Sequence, residues 1–381
     1  MLLTVATTTA LVLAIAALWL LAGALRRLAE RDPSLVTPWV RRVLRVRSYD
    51  PEVVESITRD RTHRERLAFI VNPTKPGVVA LREAVFRACA VRYLPEPLWL
   101  YTTAEDHGTR VSLEALAGGA EVLVAVGGDG TVRAVAEAAV AAEVPMGLIP
   151  MGTGNLLARN LGLPLTNPQA ALRNVLDGTS HRIDVGWLTV IRDQKHQDAD
   201  DHIFLVIAGV GVDADMVASA DEGLKSRFGW SAYFVSAVRH MGGKKRIPVT
   251  VSIDGETSVT SQVRTVLIAN CGRLPGGFNL VPDASIVDGS LDITTLDARG
   301  GVAGWADLFG SVVMQGTPLN APKLPDGWRV SRIDHARGRR AIVETETPQR
   351  VQVDGDYLGR AYAVKARVVP RALEIRAIET R

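Results

Sequence analysis

Glu121-Val122-Leu123-Val124-Ala125-Val126, then Gly127-Gly128-Asp129-Gly130-Thr131, then Val132-Arg133-Ala134-Val135-Ala136-Glu137-Ala138-Ala139-Val140-Ala141-Ala142 is the stretch that decides how this chain folds. The apolar, β-branched run reads as a buried strand, and the Ala-rich segment suits a helix packed on a sheet. The five residues between them form a strand-to-helix turn. Glycines without Cβ let backbone N–H groups approach phosphate oxygens, and a helix N-terminus adds partial positive charge where an anion would lie. Asp129 is suited to orient Mg2+ or water on those phosphates, and Thr131 to cap the helix or hydrogen-bond a phosphate. Taken alone, the same residues also describe a plain turn with an Asp cap.

Two further loops turn that single signal into a site. Leu67–Val71 reads as a buried strand and ends in Asn72-Pro73-Thr74-Lys75-Pro76-Gly77; Met146–Ile149 reads as another and ends in Pro150-Met151-Gly152-Thr153-Gly154-Asn155. Leu98–Tyr101 is a fourth strand, followed by the loop that carries Thr103. In a parallel sheet the loops after the carboxyl ends of the strands open onto one crevice. No GxxxxGK[ST] sequence occurs, which disfavours a P-loop ATPase.

Beyond about residue 178 the texture changes to short strands separated by Gly, Asp and Pro turns: Val185–Ile191, His202–Ile207, Ile247–Ile253, Gln262–Ala269, Ser290–Leu296, Ala341–Thr345 and Val351–Val353. One helix is expected over Ser226–His240. At the other end, Leu2–Leu25 is an uncharged apolar run, long enough to span a bilayer core of roughly 20 residues. Arg26, Arg27 and Arg31 follow it, so the positive-inside rule predicts a single-pass cell-membrane protein with its catalytic domains in the cytoplasm. The expected order is a transmembrane anchor over 2–25 and a basic juxtamembrane linker over 26–66. An α/β nucleotide-binding domain follows over 67–178, then a β-rich domain over 179–360. Strands over 361–381 return toward the α/β domain.

The GGDGT element, the upstream Asn-Pro loop and the P-x-G-T-x-N loop together resemble the diacylglycerol kinase catalytic domain, shared by bacterial lipid kinases and sphingosine kinases. The resemblance covers about Leu67 to Ile375. It implies a Rossmann-like α/β domain plus a mainly antiparallel β-sandwich domain, and an ATP-dependent kinase of diacylglycerol or a related membrane lipid. On that resemblance Asn72, Thr74, Thr103, Gly127, Gly128, Asp129, Gly130, Thr131, Thr153 and Asn155 contact the nucleotide. Pro282-Asp283-Ala284-Ser285-Ile286-Val287-Asp288-Gly289-Ser290-Leu291-Asp292 is similar to the family's Mg2+-binding segment, which makes the Asp288 carboxylate and backbone oxygens of Ser285 and Ser290 the implied ligands. Val351-Gln352-Val353-Asp354-Gly355-Asp356 is similar to a late segment whose Glu accepts the proton. Here Asp356 stands in that position, one methylene shorter, so a small backbone shift or a relaying water is required. Ile253-Asp254-Gly255-Glu256 carries a Glu but reads as a hairpin turn.

GGDGT is also similar to an element of NAD kinases, so a kinase of a soluble alcohol stays open, as does a non-catalytic, membrane-anchored nucleotide sensor. A net charge of +3 over 381 residues gives no field for nucleic acid. A homodimer is left open. Cys89 and Cys271 lack any metal or disulfide spacing. Gly209-Val210-Gly211-Val212-Asp213-Ala214 fits a dinucleotide fingerprint, but no acidic residue closes a second strand about 20 residues on.

Overall fold

The computed structural model describes residues 65–195, 197–211, 246–273, 284–298 and 331–377. Its centre is β3 (Val122–Gly127), fully buried along its length. β3 pairs in parallel with β1 (Leu67–Val71) on one side and with β4 (Met146–Pro150) on the other, and β2 (Leu98–Tyr101) extends the sheet beyond β1. A strand covered on both faces needs apolar residues throughout, which is why β1, β3 and β4 read as continuous runs rather than alternations. Helices α1 (Val78–Val91), α2 (Thr109–Ala117) and α3 (Asp129–Ala142) follow β1, β2 and β3, and α4 (Leu156–Asn160) and α5 (Pro168–Asp177) follow β4. In α3 the residues Thr131, Val132, Ala134, Val135, Ala136, Ala138 and Ala139 are buried. Alanine at most of these positions lets the helix axis lie close to the sheet.

The remainder is built of antiparallel strands. β5 (Thr179–Ile191) pairs with β6 (Ala199–Phe204) and, along nearly its whole length, with the final strand β14 (Asp356–Ala377). β14 also pairs with β13 (Arg340–Val353), which carries β7 (Ile207–Gly211) and β8 (Ile247–Ile253) on its other edge. β9 (Val259–Val263) adds to β8, and β10 (Thr265–Ala269), β11 (Leu291–Ala298) and β12 (Ser331–Gly338) continue outward from β7. At its far end β14 meets β4 in parallel, Ile375 opposite Met146. Among the described residues one hydrogen-bonded sheet of 14 strands therefore runs through both parts. The α/β fold and the mainly β fold are as the sequence led us to expect.

Several expectations change. The predicted single-pass membrane location is corrected: among the described residues no helix is long and apolar enough to cross a membrane. Leu2–Leu25, which carried that expectation, lies outside the described residues, as do most of the 26–66 linker and the helix expected over Ser226–His240. The run expected as one strand over His202–Ile207 is broken at Leu205-Val206, and Gln262–Ala269 is broken at Arg264. Ala341–Thr345 and Val351–Val353 are instead parts of one bulged strand, β13. Gly209–Gly211 sits within antiparallel β7 between β10 and β13, so the dinucleotide fingerprint lacks its parallel context.

Packing leaves no room for a side chain at Gly186. It pairs across the β5–β6 ladder with Phe204, a fully buried ring, and a Cβ at Gly186 would come within 2.2 Å of that ring. The aromatic side chain thus lies over the glycine and occupies its missing side-chain volume. Gly186→Ala is expected to lower unfolding free energy by about 1–3 kcal/mol, the usual range for overpacking. Chemical denaturation that finds it as stable as the parent contradicts this packing.

Candidate active site

The loop after β3 begins α3, and Asp129 is the first helical residue. A Cβ on Gly127 would stand 2.6 Å from the Thr131 hydroxyl, so only glycine lets Thr131 fold back over the turn. Asp129 reaches across to the loop after β4. Its Oδ2 accepts from the Asn155 amide at 2.9 Å and its Oδ1 from the Leu156 amide at 2.6 Å. Asp129 therefore caps α4 and ties the two glycine loops together. Their backbones touch: a Cβ on Gly152 would be 2.6 Å from the Gly128 Cα, and one on Gly154 would be 2.5 Å from Asp129 Oδ2. Asn155, in the left-handed region at φ 48°, accepts from the Gly152 amide and donates to the Gly152 carbonyl.

The opposite wall comes from the turn between β13 and β14. Asp354 (φ 48°) and Gly355 (φ 92°) are its central residues, the backbone of a type I′ turn, for which Asp-Gly is a favoured pair. The Asp354 carboxylate is buried and accepts three successive amides, Leu205 at 2.7 Å and Val206 and Ile207 at 2.9 Å each. Burial raises its pKa, while those amides and the charge of Arg133 oppose the rise. Anchored this way, the turn delivers Asp356 to α3. Its Oδ2 lies 3.3 Å from where a Gly130 Cβ would be and accepts from Arg133 Nη2 at 2.6 Å. His107 Nδ1 lies 3.6 Å from the same Gly130 position. Among the sequence-predicted residues, Asp356 and the Gly127–Thr131 loop thus meet although they are far apart in the chain.

The other candidates divide by how far their groups are already engaged. Asn72 Oδ1 accepts from the amide and hydroxyl of Thr74, shaping the loop after β1. Thr103 and Asp106 close a small turn, Thr103 Oγ1 accepting from the Asp106 amide, and the Asp106 carboxylate caps α2. Thr153 is exposed. Glu256, the other acidic candidate, sits in a hairpin turn, its amide on the Ile253 carbonyl.

The implied Mg2+ sites do not fit well. Both Asp129 oxygens are occupied by amides. Ser285, Asp288 and Ser290 do share one turn, held by Asp184, which accepts from the Gly289 amide at 2.6 Å. But Asp288 Oδ1 accepts from the Ser290 amide and its Oδ2 stands 3.7 Å from the Arg337 guanidinium. A divalent ion would have to share that carboxylate with the Arg337 guanidinium.

This geometry accords with the comparisons. Residues 66–188 match the diacylglycerol kinase catalytic domain, and residues 206–377 match the YegS C-terminal NAD kinase beta sandwich-like domain. A Stenotrophomonas maltophilia protein named "Probable lipid kinase YegS-like" is 30% identical over 302 residues, 76% of this chain and 89% of that protein. The chain belongs to the diacylglycerol kinase catalytic-domain family. The Mycobacterium tuberculosis protein named "Diacylglycerol kinase" is 29% identical over 47% of this chain and 56% of its own length. A Synechocystis relative, 30% identical over 68% of this chain, is likewise matched over 55% of its length, so the chain spans about half of these two proteins. The crystal structure of a diacylglycerol kinase from Bacillus anthracis shares the fold, with TM-score 0.61 and 21% identity over 82% of this chain and 97% of that one.

Sequence reading passed over Asp354 and Arg133. The Val-Asp-Gly-Asp run offered two acids, and only tertiary burial separates the anchor, Asp354, from the residue it delivers.

Burial raises the Asp129 carboxyl to about 6, with the nearby Asp354 charge adding to the rise and the Leu156 and Asn155 amides opposing it. Below its ordinary value of 3.8 the group is protonated folded or unfolded; between there and about 6 only the folded chain keeps the proton. Its stabilising contribution is therefore full at low pH and lost as pH rises through about 6. At about 1.4 kcal/mol per pH unit, this loss approaches 3 kcal/mol. Denaturation of the wild type and Asp129→Asn at about pH 4 and pH 7 should show a smaller fall in the variant by that order; equal falls contradict it.

Proposed function

We propose that this chain is an ATP-dependent lipid kinase that transfers the terminal phosphoryl group to the hydroxyl of diacylglycerol or a closely related lipid, giving a phosphatidic-acid-like product. The observation that carries this reading is the meeting of Asp356 with Gly130 at the start of α3. An acidic side chain from the β part stands over a glycine loop of the α/β part, as in-line transfer to an alcohol requires.

Phosphoryl transfer demands mainly positioning and charge neutralisation. The first-turn amides of α3 have no partner within the helix, and with the helix dipole they form a phosphate cradle that a side chain at Gly128 or Gly130 would crowd. ATP supplies the phosphoryl group and a stable leaving group. Asp356 takes the proton from the acceptor hydroxyl, or orients it, as that oxygen attacks the phosphorus. Asp129 serves the reaction by holding the two glycine loops at a fixed spacing. Asn72, Thr74, Thr103 and Thr153 line the nucleotide side in this reading. The choice of diacylglycerol rests on the family and its named relatives.

Incubating the protein with γ-labelled ATP and a mixed-micelle panel of diacylglycerol, monoacylglycerol, a sphingoid base and NAD tests the proposal. Label is expected in the phosphatidic-acid-like product, with Asp356→Asn lowering kcat by about 10²- to 10⁴-fold, the range for losing a general base. Label in NADP, no labelled lipid, or full activity in Asp356→Asn overturns it.

A further inference from the structure

The ion pair between Arg133 and Asp356 has no place in the reading above, yet it is the most enclosed charge contact at the site. Arg133 lies one turn into α3, and helical side chains run back toward the N-terminus, which brings its guanidinium beside Gly130. The Arg133 side chain is only 17% exposed, against 45% for Asp356, and Nη2 to Oδ2 is 2.6 Å. A cation beside a helix N-terminus opposes the helix dipole, so nothing in α3 itself favours it there. Its Nε is buried and has no hydrogen-bond partner, so the guanidinium is held by its outer nitrogen and has not settled into a better-satisfied pose. What draws the guanidinium there is the β13–β14 turn, with Asp356 in contact and the Asp354 carboxylate within reach of its charge, and the contact with Asp356 points to a task.

We infer that Arg133 is a positioning residue that clamps the Asp356 carboxylate over Gly130 through Oδ2, leaving Oδ1 to face the acceptor hydroxyl. The inference rests on the assignment of Asp356 as the proton acceptor. In the step, the hydroxyl O–H bond breaks and its proton passes to Asp356, a new O–P bond forms, and the P–O bond to the leaving ADP breaks with its electron pair. Asp reaches one methylene less far than Glu and swings about fewer bonds. Locking one oxygen to a fixed guanidinium sets the direction of the other, and misplacement of a reacting group by about 1 Å can cost on the order of 100-fold in rate. Because Arg133 binds the carboxylate and not the nucleotide, its loss falls on kcat and spares the KM for ATP.

The test compares wild type, Arg133→Lys, Arg133→Met, Asp356→Asn and the double variant Arg133→Met/Asp356→Asn. Arg133→Met should lower kcat roughly 10- to 100-fold with KM for ATP changed little, and Arg133→Lys should recover part of that loss. In the Asp356→Asn background, Arg133→Met should cost nothing further, since the clamp has nothing left to aim. Wild-type kcat in Arg133→Met, a loss confined to KM for ATP, or losses that multiply in the double variant would overturn the inference. Asp356→Asn at full rate would instead sink the assignment of Asp356, and the clamp with it; an inactive Asp356→Asn beside a fully active Arg133→Met sinks the clamp alone. Thermal unfolding of the same proteins reads the pair without turnover: the two single losses in Tm should exceed the double-variant loss when summed, and simple additivity rejects the pairing.

Discussion

The buried carboxylate of Asp354 is the contact on which the site depends. It accepts the amides of Leu205, Val206 and Ile207, three consecutive donors that a continuous strand would have spent on a neighbour. Two consequences follow from this one group. The strand run is broken into β6 and β7, so the chain can pass from the β5 ladder to the β13 ladder. The Asp354–Gly355 turn is also fixed against that break, with the Asp354 amide on the Ile207 carbonyl, and Asp356 leaves it in one direction only. Losing one partner of a buried carboxylate contact is costly, because the amides or the charge are then left without solvation. Asp354 thereby holds geometry that the half-buried Asp356 does not hold for itself.

A second carboxylate does comparable work on the nucleotide side. Asp129 joins the loops after β3 and β4 by capping one helix from the first turn of another. The glycines at 152 and 154 are explained by that approach: a Cβ on Gly152 would stand 2.6 Å from the Gly128 Cα and one on Gly154 2.5 Å from the Asp129 carboxylate. What reads in sequence as phosphate-binding glycine is thus, in part, glycine needed for two loops to touch. The two uses are compatible, since close packing of the loops also fixes where the first-turn amides of α3 point. Asp129 and Asp354 are both pushed toward protonation by burial, and the Asp354 charge adds to the rise at Asp129.

Much of this was legible in the chain itself. Strand, glycine turn and alanine-rich helix around residues 121–142 are local patterns, and the three loops at strand ends followed from the sheet being parallel. Asp356 was reached by resemblance in a single late segment, and the structure brings it to Gly130. Harder to read were features set by long-range pairing. The Leu205-Val206 break lies inside an apolar run with no Gly or Pro to mark it. The division of labour in Val353-Asp354-Gly355-Asp356 depends on which acid faces the core. Arg133 looks like a solvated helix residue until β14 is laid across α3. The metal segment was reached by resemblance, but its crowding by Arg337 comes from β12, more than forty residues away.

The proposed chemistry requires the terminal phosphate of the nucleotide to lie at the start of α3, beneath Asp356. A crystal structure of the protein with a non-hydrolysable ATP analogue tests it most directly. The terminal phosphate is expected within hydrogen-bond reach of the Gly128–Thr131 amides, with Asp356 facing the phosphorus from the side opposite the leaving oxygen. A nucleotide bound away from that loop, or one whose terminal phosphate points away from Asp356, would contradict it.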